Sequence, residues 1–165
     1  MAKIETMKIR YSDHTRQGLA VKSVLNLSRP VGPGSRNELA DVLLIQALFD
    51  LVLQKDSILA HDPFHISLRP AKVTGQFDVE TQLMIIQYQL GSITSRLRTV
   101  VPDGTIHPAA LSGRELRSSR KQMTIVQLNL DASMCAHKYG FDHVAAILDR
   151  NPMLRILIGQ KNSLK

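Results

Sequence analysis

SRPVGPGS, residues 28–35, places two prolines and two glycines in eight positions. Proline lacks the N–H that a helix interior or a central strand needs, and glycine weakens both, so no regular element crosses this stretch. The chain must therefore change character here. Before the break, MKIRYS alternates Met7, Ile9 and Tyr11 with Lys8 and Arg10, the period-two pattern of a half-buried strand. LAVKSVLNL has the residues of an antiparallel partner, so residues 1–30 are expected to form a small β-hairpin. After the break, Ser35 and Glu38 fit an S-x-x-E capping box. Val42, Ile45, Leu48, Phe49 and Val52 then share one helical face, which predicts a first helix over residues 37–54.

The remainder reads as helices separated by polar or proline-punctuated segments. KDSILAHDPFHISLRPAK carries a short alternation at Phe64, Ile66 and Leu68 that suggests extended chain. A second helix is expected from Asp78, a good N-cap, to about Gly91, with Glu80 placed favourably in its first turn. Pro102, Asp103 and Gly104 spell a turn, and Pro108 suits the first position of a short helix. QMTIVQLNLDASMCAHKYG predicts a third long helix closed by Gly140. Asp142 can cap a fourth, and Asn151–Pro152 restarts a last one that ends at Gly159. The expected fold class is mainly α with a minor sheet at the front.

A chain of 165 residues is long enough to bury a core unaided, and 44% hydrophobic with 21% charged residues is ordinary globular usage. Cys135 is the single cysteine, which excludes an internal disulfide and reads as a small buried hydrophobe. The N-terminus has no apolar signal region and no stretch reaches about 18 unbroken apolar residues, so a cytoplasmic chain without a membrane span is expected, unless a dedicated machine exports it. The net charge of +7 and pI near 9.9 favour an acidic partner: nucleic acid, anionic lipid or an anionic wall polymer. The densest basic cluster, GRELRSSRKQ, is equally explained as a solvated linker.

Chemistry has little to stand on. His61 and His65 have a metal-like spacing, but Pro63 between them opposes a helix and no third ligand is near; His137 and His143 straddle Gly140. No nucleophile elbow, phosphate loop or zinc-protease motif occurs. Neither an enzyme nor a cofactor is expected. Nucleic acid has only the charge in its favour, because the first two helices lack a basic stripe and aromatics are 4% of the chain.

Three segments, taken together, carry more. DVLLIQALFDLV holds Val42, Ile45, Gln46 and Leu48; VTGQFDVETQLMIIQYQ holds Gly75, Phe77, Thr81, Tyr88 and Gln89; PDGTIHP holds Asp103, Gly104 and Pro108. In this order the chain resembles the peptidoglycan-binding domain family, a three-helix wall-binding module, over about residues 31–111. Thr74, Asp78 and His107 stand where that pattern has aspartate, glycine and glycine. The resemblance implies a peptidoglycan-binding-like three-helix core in which Gly75 allows the turn, Phe77 plugs the core and Asp78 or Thr81 serves the helix start. It also implies a shallow cleft around the second helix, with Gln76, Gln82, Gln89, Asp103 and Thr105 offering amide, hydroxyl and carboxylate groups to glycan or stem peptide.

Residues 112–165 lie outside the resemblance and are expected to form a helical extension, packed on the module or serving self-association or a protein partner. The leading expectation is a non-catalytic peptidoglycan-binding or targeting module. The alternatives are a structural or adaptor component of a phage tail or secretion apparatus that keeps only the scaffold, and a nucleic-acid binder.

Overall fold

A computed structural model describes residues 2–13, 16–53, 72–96, 101–109, 115–117, 124–138 and 142–159. The protein is mainly helical, with an N-terminal antiparallel hairpin. The hairpin strands, β1 (Lys3–Asp13) and β2 (Arg16–Asn26), pair from Lys3↔Asn26 to Asp13↔Arg16. The ladder thus takes in Ser12, Asp13, Arg16 and Gln17 of the polar SDHTRQG stretch, because backbone pairing continues past the end of the apolar alternation. A third strand, β3 (Glu115–Arg117), lies parallel to β1, giving the order β2-β1-β3. Within the basic cluster GRELRSSRKQ, for which the sequence leaves a solvated linker and a binding patch both open, the ELR segment is paired in the sheet.

Five helices follow among the described residues: α1 (Leu39–Val52), α2 (Val79–Arg96), α3 (Thr124–Lys138), α4 (His143–Arg150) and α5 (Pro152–Gly159). α1 is the axis of the core. Every residue from Ala40 to Phe49 is buried, as are Leu51 and Val52, so it is enclosed on all sides rather than on one face. Around it pack Val24, Leu25 and Leu27 at the end of β2, Met84, Ile85 and Tyr88 of α2, Ile125 and Leu128 of α3, and Leu154 of α5. Phe49 meets Tyr88 edge to face at 5.3 Å between ring centroids. Phe77 is half-buried against the same cluster.

The start of α1 differs from expectation. Glu38, not Ser35, holds the N-cap position, makes no side-chain cap bond, and pairs instead with Arg36 at 3.3 Å. The turn into the helix is made by Asn37, whose φ is +48° and whose amide exchanges two hydrogen bonds with the Gly32 backbone. Buried Asp41 reaches back to accept from Ser28 N, Ser28 Oγ and Arg29 N at 3.0, 2.7 and 3.2 Å, tying the proline-glycine break onto α1.

α2 also runs past its expected stop at Gly91. That glycine is buried in the helix, where packing outweighs a helix penalty of about 1 kcal/mol. Pro108 opens no helix through Ala109. Ile106 is bridged to Val31 by two backbone hydrogen bonds of 2.8 and 3.0 Å, and Ala109 is held by Asn26, so the segment stays extended. α4 is capped as expected, with Asp142 Oδ1 accepting from Val144 N at 2.7 Å. Gly140 and the segment containing Phe64, Ile66 and Leu68 lie outside the described residues.

Candidate functional site

Two turns on either side of α2 have the same construction. In the first, Gln46, buried in α1, accepts from Thr74 N and Gly75 N at 2.9 and 2.8 Å and donates to Gln76 O and Thr81 Oγ1, both at 3.0 Å. In the second, Gln89 of α2 accepts from Gly104 N at 3.0 Å and donates to Thr105 O at 2.9 Å. Each turn is led by a short polar side chain that accepts from the N–H two residues on: Thr74 Oγ1 from Gln76, Asp103 Oδ1 from Thr105. Each also has a glycine in the left-handed region, Gly75 at φ +76° and Gly104 at φ +73°. A Cβ on Gly104 would sit 3.1 Å from Ile86 Cγ1, and one on Gly75 would press on Leu39 and Leu43. The threonine at 74 therefore does the local work of an aspartate.

Asp78 performs the helix-start role. Its Oδ1 accepts from Thr81 N and Thr81 Oγ1, each at 2.7 Å. The Thr81 hydroxyl and then its N–H hold the Asp78 carboxyl below the ordinary 3.8. A depressed native pKa adds stability above the ordinary value that is lost as pH falls through the native one. Asp78→Ala is accordingly expected to cost about 1 kcal/mol at neutral pH. The deficit should shrink below pH 3.8, read as the difference in urea midpoint at the two pH values. Asp78→Asn should keep the cap and lose its acid dependence.

The five residues expected to touch a ligand separate into two groups. Gln76 is exposed and Gln82 half-buried, both beside the turns; Asp103 is exposed and Thr105 half-buried in the second turn. Gln89 is not on the surface. It is 1% exposed and both ends of its amide are bonded to backbone, so it shapes the turn from behind.

Sequence reasoning missed two more amides of this kind. Asn26 brackets Ala109 (N–H to Oδ1 at 3.0 Å, Nδ2 to O at 2.8 Å), and Asn129 brackets Leu25, both bonds at 2.8 Å. The signal for Asn129 was an amide set among α3 positions that are otherwise apolar, Ile125, Leu128 and Ala132. Asn129 Nδ2 is fixed by the Leu25 and Ile125 carbonyls, so Oδ1 faces His143 Nε2 at 3.2 Å and that nitrogen carries the proton. Between α2 and α3, Tyr88 and Gln127 both donate to the buried Asp131 carboxylate. Gln127 Oε1 is the buried side-chain polar atom without a partner among the described residues.

No group of three or more His, Cys, Asp or Glu that could hold a metal occurs among the described residues. His61 and His65 lie outside them, as does the His137 side chain. Cys135 is buried. No described helix is long and apolar enough to cross a membrane. No family model, curated protein or solved structure matches the chain.

Proposed function

We propose that the chain is a non-catalytic wall-binding module whose ligand is peptidoglycan. The observation that carries this reading is the repeated glutamine clamp: Gln46 and Gln89, in the register of the peptidoglycan-binding domain resemblance, each fix a glycine turn beside α2. Rigid turns present polar groups at low entropic cost, which is what a small sugar or peptide site needs. Gln76, Gln82, Asp103 and Thr105 are the ligand-facing groups, with Gln89 as their support. The +7 charge adds a salt-sensitive attraction to anionic wall polymers.

Co-sedimentation with purified insoluble sacculi tests this. Retention should fall as salt rises and then level at a salt-resistant plateau. The triple variant Gln76→Ala, Gln82→Ala, Asp103→Ala should lower plateau affinity at least about tenfold, the combined worth of two or three hydrogen bonds. Complete loss of retention in high salt leaves electrostatic adsorption only and removes the reading. A duplex DNA shift measured alongside tests the nucleic-acid alternative, which rests on charge alone. The adaptor alternative, a phage-tail or secretion component keeping the scaffold without the ligand, has one observation in its favour: the outward line of α2 is apolar rather than polar.

A further inference from the structure

That outward line is the strongest feature the wall-binding reading does not use. α2 buries Thr81, Met84, Ile85, Tyr88 and Gly91 against the core, as a surface helix should. Its opposite side should then be polar. It is not. Val79, Leu83 and Leu90 are 69%, 51% and 46% exposed, and half-buried Ile86 lies in line with them. Glu80 and Gln87 flank the line on one side; Gln82, beside the Gly104 turn, flanks it on the other.

The geometry points to a second copy of this chain as the occupant, paired through α2 in antiparallel, two-fold fashion. The steps of four, three and four residues from Val79 to Leu90 match the spacing by which one helix packs along another, which favours a helix as the occupant. Two chains of charge +7 repel, so contact between copies is favoured where positive charge is sparse. None of the 21 lysines and arginines lies between Lys72 and Arg96. Parallel pairing would set Asp78 and Glu80 against their own copies. Antiparallel pairing sends them to opposite ends of a seam about 16 Å long, beyond the screening length of about 8 Å, and opposes the two helix dipoles. The two-fold axis then falls between Leu83 and Ile86, so each packs on the other residue of the second copy.

Sedimentation equilibrium of the full chain should give twice the chain mass, with association strengthening as salt screens the like charges. Leu83→Lys with Leu90→Lys changes exposed positions, so the circular dichroism should be unaltered while the dimer Kd rises at least about 100-fold, each leucine counting twice. Orientation has its own readout: an equimolar mixture of Leu83→Cys and Ile86→Cys chains should form the mixed disulfide in excess over the two homodimers together, beyond the half share that random pairing gives, and buried Cys135 does not compete. A wild-type chain that stays monomeric at every concentration overturns the pairing. So does a double-lysine variant of undiminished mass, or a mixed disulfide no more abundant than the two homodimers together.

Discussion

Replacing Gln46 by leucine is expected to destabilise the protein by about 3–5 kcal/mol, a large share of the 5–15 kcal/mol that holds a domain folded. Leucine matches the volume and suits a helix, so neither packing nor propensity accounts for the loss. Four hydrogen bonds disappear together. The buried Gly75 N–H loses the Gln46 Oε1 that accepts from it at 2.8 Å, and an unpaired buried donor carries its full desolvation cost. The same change at Gln89 deletes two bonds and should cost about half as much. Urea unfolding at constant m-value measures both. If Gln46→Leu costs less than about 1 kcal/mol, the turn is held by its own backbone and the clamp is incidental.

What the sequence disclosed follows from the range of each interaction. The hairpin, the Asp142 cap and the Pro152 restart are local patterns complete within a few residues, and each stands where the pattern places it. The start of α1 was misread because its determinants are not local to a helix signature. Asn37 takes a left-handed conformation and bonds five residues back, and Asp41 serves donors 12 and 13 residues away. Gly91 carried a stop signal that burial overrode, and β3 is three residues of a basic cluster paired to a strand more than 100 positions earlier.

The candidate site divides in the same way. Gly75, Gly104 and Asp78 could be read as turn and cap residues because the required backbone is specific to those residue types. Gln89 could not be separated from Gln76 or Gln82 by sequence, since three glutamines have one chemistry and only burial distinguishes support from surface. On α2, Leu83 and Ile86 are as apolar as Met84, Ile85 and Tyr88, and residue type alone does not say which of the two sets faces the core.

Asn129→Leu is expected to have an effect as large as Gln46→Leu, by a different route. β2 is an edge strand in the order β2-β1-β3, and an edge leaves N–H and C=O groups needing partners. At Leu25, buried in the core, Asn129 supplies both, acting from α3 as a one-residue substitute for a neighbouring strand. Leucine there orphans the Leu25 N–H and C=O and removes the acceptor of His143, a loss of about 3–5 kcal/mol from three buried groups. The consequence should be regional as well as global, because this amide joins the N-terminal sheet to the α3–α4 corner. Hydrogen exchange should show the Leu25 amide opening well below the global unfolding free energy in Asn129→Leu but not in Gln46→Leu. Combining Asn129→Leu with Asn26→Leu gives a cycle on adjacent β2 residues, and a coupling of at least about 0.5 kcal/mol is expected because both amides fix the end of one strand. Additive losses would mean that Leu25 and Asn26 are anchored independently and that the end of β2 does not move as a unit.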